Sequence, residues 1–204
     1  MKIICIGRNY SEHAKEMGAE TPKEPVFFLK PDTAKLSDKI PFYYPNFTKE
    51  LHYEVELVLK INRVGKNISP KFAHKYYNEI GVGIDFTARD LQRECKQKGL
   101  PWEKAKAFDY SAPVSKYFIS VDSFENKEDI RFSLLKNGEL VQQGSSADMI
   151  FSFEEIVAYV SQFITLKMGD LIFTGTPSGV GEVAIGDTLE AFMNGNKMLD
   201  LKVK

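Results

Sequence analysis

The sequence predicts an α+β fold that is mostly β. Three observations carry this: short apolar or alternating runs bounded by turn residues recur along the chain, two Asn-Gly pairs sit between such runs, and helix-like stretches are few and short. The 204 residues fit a single domain, 1–204, with enough chain to bury a core unaided.

In chain order, residues 2–6 and 25–29 read as short buried strands and 51–61 as a longer, alternating one. Between the first two, residues 7–18 suggest a tight turn into a short helix ending at Gly18. Ser69-Pro70 opens a helix-like segment carrying Phe72, Ala73, Tyr76, Tyr77 and Ile80, which Gly81 would close. Thr87 with Asp90 resembles a capping box for a helix ending at Gly99 and Pro101, and Ser152 with Glu155 a second. Asn137-Gly138 and Asn194-Gly195 signal hairpins whose turns require positive φ.

Composition removes several function classes. Lys plus Arg is 27 against 28 Asp plus Glu, net −1, so no cationic excess draws nucleic acid or an anionic membrane. The longest apolar run, Ile156 to Val160, is far short of a span, and the N-terminus lacks a secretory apolar core. A cytoplasmic protein is expected. Cys5 and Cys95 are isolated from each other and from any His at zinc spacing, which favours reduced, buried thiols.

Chemistry concentrates in five places. If residues 51–59 form a strand, its two-residue period sets His52, Glu54 and Glu56 on one face, with the two carboxylates about 6.6 Å apart. Such a pair repels unless a cation lies between, and oxygen-only ligands suit Mg²⁺, Mn²⁺ or Ca²⁺; the alternative is a solvated acidic face. Asp85, where the apolar stretch Gly81-Val82-Gly83-Ile84 ends, is placed to add a third carboxylate or merely to cap a turn. Arg89 and Gln92 lie one turn apart and could meet an anionic ligand, or belong with Arg93 and Lys96 to a wet helix face. His13 and Glu16 share a helical face, and a carboxylate beside an imidazole orients it as a base. Lys104 and Lys106 are candidates for a partly buried cation that meets a developing oxyanion. The run from Thr174 to Gly181 is rich in glycine and hydroxyls but lacks a phosphate-loop lysine, leaving a carboxylate-holding loop or a plain turn.

Taken in order, the segments IGRNYSEHAKEMG, PVFFLKPDTA, LHYEVELVL, GIDFTARDLQ, KGLPWEKAKAFD and IFTGTPSGVG resemble the fumarylacetoacetate hydrolase family, its short acylpyruvase and oxaloacetate decarboxylase branch in particular. The resemblance implies a mixed β roll with short peripheral helices, a homodimer, and a divalent metal, Mg²⁺ or Mn²⁺ with Ca²⁺ as an option. It implies Glu54, Glu56 and Asp85 as metal ligands, His13 and Glu16 as the water-activating pair, and Lys106 as the lysine facing the reacting oxygen. Arg8, Lys30, Arg89, Gln92 and Thr176 fall at substrate-contacting positions. Asp32 departs from the small hydroxyl residue expected there and would add negative charge near the pocket mouth. The implied activity is hydrolysis of acylpyruvates to pyruvate and a carboxylic acid, with oxaloacetate decarboxylation, tautomerisation or a related 2-oxo acid isomerisation as enzymatic alternatives. A noncatalytic, Ca²⁺-stabilised β protein is the alternative outside enzymes.

Overall fold

The structure, a computed structural model, describes residues 1–204 except 17, 19, 38 and 39. In chain order the elements are β1 (Ile3–Gly7), α1 (Ser11–Glu16), β2 (Val26–Lys30), β3 (Lys35–Ser37), β4 (Leu51–Tyr53), β5 (Val55–Ile61), α2 (Pro70–Ala73), β6 (Tyr77–Ile84), β7 (Thr87–Ala88), α3 (Arg89–Lys98) and α4 (Glu103–Lys106). There follow β8 (Ala112–Val114), β9 (Ile119–Ser120), β10 (Arg131–Lys136), β11 (Glu139–Ser145), α5 (Phe153–Phe163), β12 (Leu171–Phe173), β13 (Gly181–Glu182), β14 (Thr188–Met193) and β15 (Asn196–Lys202).

The largest sheet runs β2-β1-β12-β5-β6-β8-β3, with β9 also paired to β6. It is mixed, because β1 joins β12 and β3 joins β8 in parallel while the other pairings are antiparallel. A second sheet, β11-β10-β14-β15, lays β10 on β5 and β14 and β15 on β6. Leu57, Val82, Phe132, Leu134, Ala191 and Leu199 join one continuous buried cluster between the two. The expected mostly-β α+β architecture is the one observed, with the short helices outside the sheets. Both Asn-Gly hairpins form, with φ of 55° and 83° at Asn137-Gly138 and 47° and 78° at Asn194-Gly195. Ser152 and Glu155 make the reciprocal cap of α5, and Cys5 and Cys95 are free and buried. Among the described residues no helix is long and apolar enough to cross a membrane.

Three expectations need correction. The segment from Pro70 to Ile80 is not one helix: α2 ends at Ala73 and Tyr77 begins the long strand β6. Tyr77, Ile80, Val82 and Ile84 bury completely or nearly so against β5, and pairing in a buried sheet outweighs the weak helical periodicity. Thr87 does not cap α3, whose first residue is Arg89; its hydroxyl turns to Glu54 instead. The run 51–61 is two strands, since Glu54 marks where the chain leaves the small sheet β13-β4-β7 and enters the large one. Of the helix predicted to reach Gly18, α1 supplies the part to Glu16, and Met17 lies outside the described residues.

Gly81, expected to close a helix, lies within β6, and so does Gly83, a close-approach glycine. A Cβ there would sit 2.5 Å from Phe173 Cε1 and 3.0 Å from the Pro113 carbonyl oxygen. Gly83→Ala is therefore expected to lower unfolding stability by about 2–3 kcal/mol, as overpacking of a tight core does. A urea midpoint equal to that of the wild type would show that β6 and β12 can separate freely.

Candidate active site

The site lies where β5, β6, α3, α4, α1 and the loop after β12 converge. Asp85 N donates to the Glu54 carbonyl at 2.8 Å, tying the strand break to the end of β6. Val55 N is held at the same break by Gln142 Oε1, 2.9 Å away on β11. Glu56 pairs with Gly83, a partner with no side chain to compete for the same space. The outcome is a buried trio: Glu54, Glu56 and Asp85 are 5%, 1% and 1% exposed, and each offers an oxygen within 4.8 Å of the others.

Cations crowd the trio. Lys106 Nζ donates to Glu54 Oε2 at 2.9 Å and to Asp85 Oδ2 at 2.8 Å. Arg89 lies 2.7 Å from Glu54 Oε1, which also accepts from the Thr87 hydroxyl at 3.0 Å. Burial alone would raise the Glu54 pKa, but Lys106, Arg89 and His13 together hold it far below the usual carboxylate range. Among the described residues, Glu56 takes only a backbone hydrogen bond, from Gly175 N at 2.7 Å. Burial, followed by repulsion from Asp85 and Glu54, pushes its carboxyl well up. Burial would depress the Lys106 ammonium, yet Asp85 and Glu54 outweigh it and raise its pKa.

These carboxylates suit a divalent cation on two observations. The donors are hard oxygens, and the three buried carboxylates bring oxygens within 4.8 Å of one another. The upward drive on Glu56 likewise marks a position short of positive charge.

His13 lines the same cavity, and its Nδ1 is 3.0 Å from Glu16 Oε2. Glu16 accepts in turn from Gly179 N at 3.1 Å, linking α1 to the glycine-rich loop. Gly179 holds φ at 95°, and a Cβ there would lie 2.4 Å from the Val141 carbonyl oxygen, so no larger residue supports this contact. The loop is pinned at its start by Asn9, whose side-chain amide donates to the Thr174 carbonyl at 2.8 Å and the Phe151 carbonyl at 3.0 Å. Thr176 Oγ1 accepts from Gln142 Nε2 at 2.9 Å.

Most residues singled out in the sequence share this cavity: Arg8, His13, Glu54, Glu56, Asp85, Arg89, Gln92, Lys106 and Thr176 line it. Glu16 stands behind His13. Lys30 is the exception among the expected substrate contacts. It is 2% exposed, sits behind Asp85, and donates to the Ser111 hydroxyl at 2.9 Å and the Ser111 carbonyl at 3.0 Å instead of facing the cavity. Lys104 is exposed and Asp32 is absent from the cavity wall. The helical face of α3 divides: Arg89 and Gln92 are buried and joined at 2.9 Å, whereas Arg93 pairs outward with Glu50.

Sequence reasoning missed Asn9, Thr87 and Gln142 as supports, and Phe28, Lys96 and Trp102 as lining residues. The usable signal for Asn9 was a side chain able to bond both ways next to the Gly7-Arg8 turn; for Gln142 there was none, because its role depends on β11 folding over β5.

The family model for the fumarylacetoacetate (FAA) hydrolase C-terminal domain matches residues 2–203. The chain is 45% identical over 202 residues to the mitochondrial oxaloacetate tautomerase FAHD1 of Mus musculus, covering 99% of this chain and 91% of that protein. It is 41% identical over 197 residues to the oxaloacetate tautomerase YcgM of Escherichia coli, covering 97% and 90%. Among solved structures, fumarylpyruvate hydrolase from Pseudomonas aeruginosa in complex with Mn²⁺ and pyruvate superposes with a TM-score of 0.93 at 38% identity, covering 100% of this chain and 89% of that one. A match over nearly the full length, with the fold it entails, establishes that this chain belongs to the fumarylacetoacetate hydrolase family.

Proposed function

We propose that residues 1–204 act as one catalytic domain, a divalent-metal-dependent enzyme of 2-oxo acids whose main reaction is the keto–enol tautomerisation of oxaloacetate. The observation that carries this reading is a base, His13 with Glu16, facing three buried carboxylates and Lys106 within one cavity. Identity of 45% to an oxaloacetate tautomerase supports it.

Glu54, Glu56 and Asp85 would hold Mg²⁺ or Mn²⁺, with Ca²⁺ as an option; the ion would supply Lewis-acid polarisation of the substrate's 2-oxo group. Arg89, with Gln92 fixing its guanidinium, and the Thr176 hydroxyl would orient the carboxylate next to that group. His13 would take a proton from the neighbouring carbon, the electron pair would shift on to the 2-oxygen, and Lys106 would meet the charge arriving there. Return of that proton from His13, directly or through solvent, to the oxygen gives the enol. Lys30 would position Asp85 rather than touch substrate.

Hydrolysis of acylpyruvates is the second reading, favoured by the likeness to a fumarylpyruvate hydrolase captured with pyruvate. There His13 would deprotonate water for attack on the distal carbonyl, and cleavage of the C–C bond would release a carboxylic acid and the enolate of pyruvate. A metal-supplemented comparison of oxaloacetate enol decay with acetylpyruvate and fumarylpyruvate cleavage separates the two. Tautomerisation is expected to show the larger kcat/KM, and faster cleavage would reverse the order. His13→Ala should lose about 10²–10⁴-fold in both reactions; full activity would remove His13 from the scheme.

The homodimer is proposed on β2, an edge strand of the large sheet that leaves Val26 37% and Leu29 43% exposed, with light scattering as the check. A cytoplasmic location agrees with two unpaired, buried cysteines.

A further inference from the structure

We infer that Gln142 is a positioning residue that commits the Thr176 hydroxyl to donate its hydrogen bond into the cavity, toward an anionic oxygen of the ligand. The inference rests on the 2-oxo acid reading above and names what sets the polarity of that contact.

A local irregularity brings Gln142 to the site. β11 is the edge strand of the second sheet, and its pairing with β10 slips between Leu134 with Gln142 and Leu135 with Leu140. Val141 is therefore the extra residue of a bulge, and bulges re-aim the side chains beside them. Gln142 is 2% exposed, on a strand whose other residues are all half-buried or exposed. The glycine-rich loop lies directly on this stretch: a Cβ at Gly144 would stand 3.0 Å from Pro177 Cβ, and Gly179 crosses the Val141 carbonyl as described above.

The buried amide fits only one way round. Its Oε1 takes the Val55 N–H at 2.9 Å, and a backbone N–H can only donate. Its Nε2 lies 3.0 Å from the Pro177 carbonyl, which can only accept. A flipped amide would set donor against donor and acceptor against acceptor. The remaining Nε2 hydrogen goes to Thr176 Oγ1 at 2.9 Å, so the hydroxyl is an acceptor on that side. Among the described residues it donates to no protein group, and Thr176 lines the cavity. Its proton is left for the cavity, where the matching partner is an oxygen that carries no hydrogen, as in a carboxylate. Through Val55 the same amide ties this donor to the strand break beside Glu54.

The test is a double-mutant cycle, read by calorimetric titration of the metal-loaded protein with oxalate, whose oxygens stand in for the carboxylate and 2-oxo oxygens of a 2-oxo acid. Gln142→Glu keeps an acceptor for Val55 N but puts an oxygen in place of Nε2, so the Thr176 hydroxyl turns its proton away from the cavity. It should cost at least about tenfold more oxalate affinity with threonine in place than in the Thr176→Val background, where only the added charge is felt. Gln142→Met leaves the Pro177 carbonyl to draw the proton and should show the same coupling at about threefold or more. Thr176→Ser should bind oxalate like the wild type, and circular dichroism verifies each fold. A merely structural glutamine would cost the same in both backgrounds; that result with whichever of the two Gln142 variants fold would overturn the inference. Coupling in a protein that turns over neither oxaloacetate nor acylpyruvates would defeat the functional reading and leave the role of Gln142 standing.

Discussion

Glu56→Gln should abolish divalent-metal binding and turnover while making the metal-free protein more stable than the wild type. The amide keeps an oxygen able to accept from Gly175 N, 2.7 Å from Glu56 in the wild type, so the glycine-rich loop keeps its anchor. What disappears is a carboxyl that burial and repulsion from Asp85 and Glu54 oblige to keep its proton on folding, a cost the amide does not bear. Its removal is expected to add on the order of 1 kcal/mol or more in urea unfolding without metal. Turnover should fall by more than the roughly 100-fold that losing an outer partner of a ligand costs, since here a ligand itself is lost. A metal-induced rise in melting temperature that persists in the variant would sink the assignment of Glu56.

The same residue gives the metal-free protein a pH dependence of definite sign. Folding lifts the Glu56 pKa above the ordinary 4.5, so above about that pH the folded chain retains a proton which the unfolded chain has lost. Unfolding then releases a proton, and stability falls as pH climbs. Glu54 runs oppositely: its pKa is lowered by folding, so its contribution is present above the ordinary 4.5 and is lost as pH falls below it. Glu56→Gln should remove the decline on the alkaline side alone.

The contrast between these two carboxylates shows how far the sequence could be read. Two-residue alternation put Glu54 and Glu56 on one face, and the structure brings both to one centre with Asp85. Alternation could not reveal that the strand breaks at Glu54, because the break depends on Gln142 from β11 and on the Asp85 backbone, both remote in the chain. The hairpins and the α5 cap were legible because each is fixed by residues next to one another. Thr87 and the stretch up to Ile80 misled for the converse reason. Their local signals were helical, and burial against β5 or a buried carboxylate was worth more than a cap or a weak periodicity. Lys30 shows the same limit in the site: a motif indicated that a lysine belongs near the pocket, but only the packing of β2 against Ser111 sets it behind Asp85.

Lys106→Met should then expose how the carboxylates survive burial without metal. Methionine fills much of the lysine's volume, so the change deletes chiefly the ammonium, which donates to Glu54 at 2.9 Å and to Asp85 at 2.8 Å. With that donor gone, two buried carboxylates lose their common counter-charge, and breaking a buried pair in this way costs about 3–5 kcal/mol. A divalent ion on the same oxygens replaces the missing charge. Added metal should therefore stabilise the variant more than it stabilises the wild type, where the ion competes with an ammonium already in place. Turnover should nevertheless stay about 10²–10³-fold low with metal bound, because the group meant to meet charge on the 2-oxygen is absent. Combining Lys106→Met with Glu54→Gln isolates the pair, and the double variant should lose much less stability than the two single losses added together. If metal-free Lys106→Met unfolds at the wild-type urea midpoint, Glu54 and Asp85 must be neutralised by some other route, and the charge balance described for this cavity is wrong.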